Sequence, residues 1–225
     1  MDCLIIAAGY GSRLRAVSPS KPLTPVAGVP LIERVIRAAA EGGAARFFVA
    51  TGHEAGRLEA FLETLPFEIV PVRVADWSLP NGHSVLAGAA RIKGDYLLTM
   101  SDHLFDPAIV AALIAAPPAV LTLAVDRNLA NPLLDMDDVT KVATGAGGAI
   151  VRIGKTLADF DAADTGLFRA TPALAEAIAA GGGSLSDGVQ RLAAAGRAMT
   201  LDVTGRFWLD VDDPAALAKA EARFG

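Results

Sequence analysis

The residues best suited to chemistry lie in a glycine-rich segment that follows the first apolar run of the chain, residues 3–7. The small residues of this segment that can surround a ligand are Ala8, Gly9, Gly11 and Ser12. Two basic residues, Arg13 and Lys21, come directly after them. Glycines let backbone N–H groups approach anionic oxygens with no Cβ in the way, and α/β sheets bind phosphates at the turn after the first strand. The pattern therefore predicts a phosphate-binding loop.

Three interpretations of this loop compete. A dinucleotide-binding fingerprint requires a third glycine where the chain has Leu14, and a P-loop requires a Gly-Lys-Ser/Thr sequence that is absent. A tight turn with no ligand leaves unexplained why Arg13 and Lys21 flank the loop in a protein of net charge −5. We therefore expect an anionic ligand that is held by local cations.

Carboxylates occur in two segments that are far apart in sequence. Asp102 follows the apolar run 96–100, which places it at the carboxyl edge of a sheet, where open α/β folds bind their ligands. Asp210 and Asp212 lie in the C-terminal segment 207–214, and alternation along a strand would direct both to one face. One or two carboxylates together with phosphates are typical ligands of Mg²⁺.

The residues do not decide whether Asp210 or Asp212 is the second metal ligand. Histidines give no support for a zinc site, because His53, His83 and His103 are scattered along the chain. Each of the three is interpreted as a capping or surface residue.

Predicted secondary structure places both features at one sheet edge. Apolar runs of strand length alternate with helical patterns up to about residue 125. The predicted strands are 3–7, 46–51, 68–72 and 96–100, and the predicted helices are 31–41, 54–63, 83–91 and 107–115. Near-continuous apolar strands are typical of a parallel sheet covered on both faces. The order predicts an α/β fold with a doubly wound, mostly parallel but mixed sheet.

Shorter elements follow residue 125. Strands are predicted at 141–143, 149–153, 165–169 and 199–203, and helices at 173–180, 185–195 and 214–223. Asp106 and Asp213 are expected to cap the helices that follow them. Because no linker separates the two sections, we expect residues 1–225 to form one domain, with a core at 1–125 and a small substrate-facing section at 126–225.

The composition limits the classes of protein. A chain of 225 residues with 52% hydrophobic and 20% charged residues is typical of a globular protein with its own core. Its one cysteine, Cys3, is expected to be an inert buried thiol. The acidic balance argues against a nucleic-acid partner. The pattern indicates neither a signal peptide nor a membrane span, so we expect a cytoplasmic protein without membrane insertion. The sequence does not decide whether the protein forms a homo-oligomer.

The glycine-rich segment also resembles a family signature. Residues 8–14, AGYGSRL, with KPL at 21–23, resemble the loop of the sugar-phosphate nucleotidyltransferases, which join a nucleoside triphosphate to a sugar or alditol phosphate and release pyrophosphate. The resemblance implies a Rossmann-like nucleotidyltransferase fold whose loop wraps the triphosphate. It assigns Arg13 to the departing pyrophosphate and Lys21 to the region of the α-phosphate. It also implies Mg²⁺ on Asp102. The family has a tryptophan two residues before an aspartate, which residues 208–210 match, and this pattern favours Asp210 as the second ligand.

Later segments resemble one branch of that family, the CTP:inositol-1-phosphate cytidylyltransferases. The segments are NGHS at 81–84, DR at 126–127, TKV at 140–142, IGK at 153–155 and FDAADTG at 160–166. The resemblance implies CTP and a polyol phosphate as substrates, with Asn81 and Ser84 near the base and ribose. It assigns the acceptor phosphate to Lys155 and the acceptor hydroxyls to Asp164 and Thr165. The nucleotide would then lie on residues 1–125 and the acceptor on 126–225.

Alternatives remain open at this level. Residues 128–138 depart from the family pattern as an insertion would, so another alditol phosphate or a choline-type phosphate could be the acceptor. Choline calls for an aromatic cage, and with 6% aromatic residues the sequence suggests no cluster that supplies one. A UTP- or dTTP-dependent sugar-1-phosphate transferase is a second alternative. A non-catalytic nucleotide-sugar-binding module is a third, although the full set of charged site residues argues against it.

Overall fold

A nine-stranded mixed sheet forms the centre of the computed structural model, which describes all of residues 1–225. The strands are β1 Asp2–Ala7, β2 Pro25–Val26, β3 Val29–Pro30, β4 Arg46–Thr51, β5 Ile69–Arg73, β6 Tyr96–Met100, β7 His103–Phe105, β8 Leu121–Asp126, β9 Lys141–Thr144, β10 Ile150–Gly154, β11 Ala162–Ala170, β12 Ala198–Asp202 and β13 Trp208–Asp210. The helices are α1 Leu31–Glu41, α2 Ala55–Leu62, α3 Gly82–Ala89, α4 Pro107–Ala115, α5 Ala173–Ala179, α6 Leu185–Ala194 and α7 Pro214–Phe224.

The sheet joins the two sections of the chain. Strands β5, β4, β1 and β6 are parallel neighbours, and β11 pairs antiparallel with β6, β8 and β9. Strand β12 lies parallel to β8, and β10 pairs with β9. The predicted α/β class and mixed sheet are confirmed. No helix has the length and apolar character needed to cross a membrane.

Hydrophobic cores on both faces of the sheet explain why its strands are apolar throughout. In β1, Cys3 and Ile5 belong to one buried cluster and Leu4 to the other, as expected for side chains that alternate along a strand. Cys3 is 1% exposed, so the expected buried thiol is confirmed. The glycine-rich loop and Asp102 follow the ends of β1 and β6, two neighbouring parallel strands of this sheet.

Helix ends agree with the capping residues predicted from sequence. The carboxylate of Asp106 accepts a hydrogen bond from the amide of Ala108 at 2.9 Å, at the start of α4. The carboxylate of Asp213 accepts one from Ala216 at 2.7 Å, at the start of α7. Asp106 and Asp213 therefore act as helix caps, unlike the other carboxylates near the site.

A small second sheet brings the C-terminal segment to the end of β6. Strand β7 pairs antiparallel with β13, and Asp210 lies opposite His103 in the register. Strand β7 was not predicted, because three residues are too few to show a period, whereas β13 lies within the segment 207–214 that was interpreted as a strand. Their pairing places Asp210 beside Asp102.

The segment 127–140, between β8 and β9, is fixed to its surroundings. The buried carboxylate of Asp126 accepts hydrogen bonds from the Asn128 amide at 2.9 Å, the Asn131 side chain at 3.0 Å and the indole of Trp208 at 3.0 Å. Lys219 of α7 donates to the carbonyl of Pro132 at 2.8 Å. The stretch interpreted as an insertion is therefore an ordered wall, tied to the strand that carries Asp210.

Candidate active site

The glycine-rich loop lines a cavity of about 380 Å³ at the carboxyl end of β1, here called the loop cavity. Its lining includes Ala8, Gly9, Gly11, Ser12, Arg13, Lys21, Trp77, Asn81, Ser84 and Asp102. Gly11 has a φ of +62°, and a Cβ there would collide with the side chain of Lys21. Glycine is therefore required for Lys21 to lie against the loop.

A second cavity of about 560 Å³, here called the large cavity, adjoins the first. Its lining includes His103, Asp138, Lys155, Asp164 and Asp210, together with apolar residues of the segment 127–140. Arg13, Asn81, Met100 and Asp212 line both cavities, so the two share a boundary. The site can thus hold two ligands side by side.

Lys21 lines the loop cavity beside this boundary and is paired with two carboxylates. Its ammonium contacts Asp102 and Asp212, and its side chain is only 10% exposed. Burial alone would lower the pKa of Lys21, but the charges of Asp102 and Asp212 outweigh burial and raise it. Burial likewise opposes ionisation of Asp102, and the charge of Lys21 outweighs it, so the Asp102 pKa is lowered. Both groups are therefore charged at neutral pH.

An acidic cluster with unsatisfied oxygens lies next to Lys21. One ligand atom from each of Asp102, His103 and Asp210 lies within 4.8 Å of the others. The Oδ1 atoms of Asp102 and Asp210 are buried without a hydrogen-bond partner. Burial raises the pKa of Asp210 to about 7, with further contributions from neighbouring charges. Because buried unpaired oxygens are costly, this donor set fits a divalent cation that prefers oxygen ligands.

His103 is closer to this cluster than the sequence interpretation allowed. Its Nδ1 lies 3.6 Å from Asp102, its Nε2 lies 3.5 Å from Asp210, and its side chain is 13% exposed. A Cβ at Gly166, which has a φ of +76°, would come within 2.7 Å of the His103 ring. The expectation that His103 is a capping or surface residue is wrong.

The two C-terminal carboxylates occupy different places. Asp210 belongs to the acidic cluster, whereas Asp212 forms ion pairs with Lys21 and Arg13. Strand β13 ends at Asp210, so strand alternation does not extend to Asp212 and the shared face expected for the pair is not formed. The geometry favours Asp210 over Asp212 as a metal ligand.

Asp138, which the sequence interpretation did not single out, connects two of the predicted cations. Its carboxylate lies 2.8 Å from the guanidinium of Arg13 and also contacts the ammonium of Lys155. Nothing local in the sequence signals this contact, because Arg13 and Asp138 are 125 positions apart. Lys155 follows the end of β10 and lines the large cavity.

Asp164 and Thr165 do not face the same side of β11. Asp164 lines the large cavity, and its carboxylate accepts a hydrogen bond from the Gly166 amide at 2.7 Å. Thr165 is fully buried, and its hydroxyl donates to the carbonyl of Ala124 at 2.8 Å. The expected contact of Thr165 with a ligand is therefore corrected to a structural hydrogen bond.

Replacement of Asp164 by asparagine is expected to stabilise the metal-free protein at pH 8. Burial raises the pKa of Asp164 to about 6, so the folded protein loses stability as the pH rises from about 4 to about 6. Asp164→Asn should raise the free energy of unfolding by about 1–3 kcal/mol at pH 8 and change it little at pH 4. Chemical denaturation in EDTA at both values measures this. An equal effect at both pH values would contradict it.

Asn81 and an aromatic cluster border the loop cavity. The Asn81 carbonyl oxygen accepts a hydrogen bond from the Leu185 amide at 3.0 Å, which leaves its NH₂ group available. The rings of Tyr10 and Trp77 are parallel at 6.1 Å, and His53 stands edge-on to both at 4.8 and 5.1 Å. The sequence suggested no such cluster. Trp77 lines the cavity and offers an aromatic surface to a ligand there.

This loop, with cations at the end of the first strand and an acidic cluster at the end of β6, belongs to a fold seen in nucleotidyltransferases. The structure of the inositol-1-phosphate CTP transferase from T. maritima matches with a TM-score of 0.87 at 23% identity, covering 99% of this chain and 95% of that chain. A UDP-glucose pyrophosphorylase in complex with UDP-glucose matches with a TM-score of 0.84 at 18% identity, covering 99% and 97%. At these identities the likeness establishes the fold.

The chain belongs to the family of MobA-like NTP transferase domains, whose sequence model matches residues 3–149. The expected membership of a nucleotidyltransferase family is thus confirmed. Among curated proteins, the bifunctional IPC transferase and DIPP synthase of Rubrobacter xylanophilus is 33% identical over 223 residues, 96% of this chain and 50% of that protein. The protein of the same name from Aquifex aeolicus is 30% identical over 225 residues, 97% and 50% respectively. The chain spans about half the length of these relatives.

Proposed function

We propose that this chain transfers a cytidylyl group from CTP to a polyol phosphate, in the first place inositol-1-phosphate, and releases pyrophosphate. One observation carries the proposal: two adjoining cavities share Arg13, with Lys21 on one side and Lys155 on the other. Cations for two phosphate-bearing substrates therefore face a common boundary. The names of the two bifunctional relatives support inositol phosphate as the acceptor.

The loop cavity is the proposed site of CTP. Backbone N–H groups of residues 8–12 would face the phosphates, while Arg13 neutralises the departing pyrophosphate and Lys21 the α-phosphate. Asn81 and Ser84 would contact the base and ribose. Trp77 would contact the same part of the nucleotide through its exposed ring. Although the chain is acidic overall, it can bind the anionic CTP here because cations are concentrated at the loop.

Asp102 and Asp210 are the proposed ligands of Mg²⁺. Their unpartnered buried oxygens supply the hard donor atoms that this ion prefers. When bound, the metal neutralises negative charge on the phosphate oxygens and helps to orient them. Asp212 keeps Lys21 and Arg13 at the boundary through its two ion pairs.

The large cavity is the proposed site of the acceptor. Lys155 would hold the acceptor phosphate, and Asp164 would accept hydrogen bonds from the polyol hydroxyls. An oxygen of the acceptor phosphate forms a bond to the α-phosphorus of CTP, and the bond from that phosphorus to the bridging oxygen of pyrophosphate breaks. A phosphate monoester has a second pKa of about 6, so the nucleophile is already ionised at pH 7 and no general base is needed. The protein supplies alignment and charge neutralisation.

The direct test of the proposed chemistry is identification of the products. Incubation of the protein with CTP, inositol-1-phosphate and Mg²⁺ should give equal amounts of pyrophosphate and CDP-inositol, measured by ³¹P NMR and mass spectrometry. Binding of CTP without any product would instead support a non-catalytic nucleotide-binding module.

Lys155→Ala is expected to weaken the use of the acceptor selectively. Loss of a charged phosphate contact should raise the acceptor KM or lower kcat by about 10- to 100-fold. The affinity for CTP alone, measured by calorimetry, should stay close to that of the wild type. Lys93→Ala removes an exposed lysine outside both cavities and serves as the control. Loss of CTP affinity with an unchanged acceptor KM would show that the two substrates are assigned to the wrong cavities.

A further inference from the structure

Asp138 makes contacts that no proposed substrate contact explains. Its Oδ2 lies 2.8 Å from Arg13, and its Oδ1 contacts Lys155. Arg13 lies on the proposed nucleotide side and Lys155 on the proposed acceptor side of the boundary. One carboxylate therefore joins the cations that are assigned to the two different substrates.

The backbone that carries Asp138 is held from several directions. Near the start of its segment, Asn131 donates to the buried Asp126, and Lys219 holds the carbonyl of Pro132. Leu133, Leu134 and Val139 pack against the hydrophobic core beneath. The position of Asp138 is thus set by the fold, and the flexible side chains of Arg13 and Lys155 adjust to it.

The carboxylate of Asp138 carries a negative charge at neutral pH. Hydrogen bonds from Lys155 and Arg13 lower the pKa of Asp138 to about 2, so it is ionised throughout the neutral range. The side chains of Arg13 and Lys155 are 47% and 56% exposed, whereas that of Asp138 is 28% exposed. Exposed long side chains sample many rotamers, and a fixed carboxylate restricts both of them.

We propose that Asp138 is a positioning residue that orients Arg13 and Lys155 toward one another and thereby couples the nucleotide and acceptor sites. The role rests on the proposed cytidylyl transfer. A guanidinium has five N–H donors and an ammonium three, so each cation can bind Asp138 and still donate to a phosphate. Preorganisation of this kind lowers the entropic cost of aligning the two phosphate groups.

A carboxylate between two cations could have the opposite effect. If Asp138 only competed with phosphate for Arg13 and Lys155, its removal would free both cations and strengthen phosphate binding. The positioning role predicts weaker use of the acceptor. The two effects have opposite signs, so kinetics and binding separate them.

The test compares Asp138→Ala, Asp138→Asn and Asp138→Glu with Asp137→Ala. Asp137 is exposed, lies outside both cavities and loses the same charge. We expect Asp138→Ala and Asp138→Asn to lower kcat/KM for the acceptor by about 10- to 100-fold, with partial recovery in Asp138→Glu. The control should stay within about twofold of the wild type. Wild-type kinetics in Asp138→Asn, or an increase in acceptor affinity, would overturn the proposal.

A double-variant cycle shows whether Asp138 acts through Lys155. In the Lys155→Ala background, Asp138→Ala should cost markedly less than it does alone, because its main partner is already gone. Fully additive losses would overturn the positioning role.

The same cycle is measured as binding of inorganic phosphate by calorimetry, which requires no turnover. Non-additivity in binding without turnover of any substrate pair would refute the proposed function, while still showing that Asp138 orients Lys155 for phosphate binding. Additive effects on phosphate binding together with normal turnover in the Asp138 variants would refute the role of Asp138 alone.

Discussion

Asp102→Ala is expected to lower magnesium-dependent turnover by about 10³- to 10⁵-fold. The variant removes a proposed metal ligand and, with it, one of the two carboxylates that contact Lys21. Activity is measured as pyrophosphate release with CTP and inositol-1-phosphate at saturating Mg²⁺. Removal of charge alone is not expected to have this effect, so Asp159→Ala, which removes a carboxylate that is 93% exposed, should retain wild-type turnover.

Misfolding of Asp102→Ala must be separated from loss of the metal site, because removal of one member of a buried ion pair destabilises proteins. Asp102→Asn keeps the shape of the side chain and should lose turnover to a similar extent while remaining folded by thermal unfolding. Near-normal magnesium-dependent activity in a folded Asp102→Asn variant would refute the metal assignment.

Lys21→Ala is expected to lower kcat/KM for CTP by about 30- to 1000-fold, which corresponds to about 2–4 kcal/mol of transition-state stabilisation. Its ammonium is fixed at the boundary by Asp102 and Asp212, where the α-phosphate of CTP would lie. Arg13→Ala should reduce the same constant in the same range, because its charge is proposed to neutralise the departing pyrophosphate.

Arg15→Ala provides a control from the same loop region for these two variants. The guanidinium of Arg15 lies 4.4 Å from the centre of the Tyr10 ring, and the residue lines neither cavity. It should therefore retain CTP kinetics close to those of the wild type. Unchanged kinetics in both Lys21→Ala and Arg13→Ala would show that the glycine-rich loop is only a tight turn.

Long elements of the fold could be predicted from sequence because their patterns are local. Helix α1 covers Leu31–Glu41 and strand β4 covers Arg46–Thr51, each with the bounds predicted from apolar spacing. In α1 the buried residues recur at intervals of three and four, which only a helix brings to one face. The small sheet of β7 and β13 could not be predicted, since its two strands of three residues come from distant parts of the chain.

Some residues of the candidate site could likewise be predicted from sequence, and others could not. The glycine-rich loop follows β1 and Asp102 follows the neighbouring parallel strand β6, so topology brings Asp102 to the loop against which Lys21 packs. The place of His103 depends on the pairing of β7 with β13. The place of Asp138 depends on a long segment between β8 and β9 that has no periodic pattern. The sequence alone could have excluded a shared role for Asp164 and Thr165, because adjacent residues of a strand face opposite sides.

The proposed reaction of this site joins CTP to a polyol phosphate. The most direct measurement is a matrix of CTP, UTP and dTTP against inositol-1-phosphate, other polyol phosphates and aldose 1-phosphates, scored as magnesium-dependent pyrophosphate release. We expect CTP with inositol-1-phosphate to have the highest kcat/KM. A preference for UTP or dTTP with an aldose phosphate would contradict it.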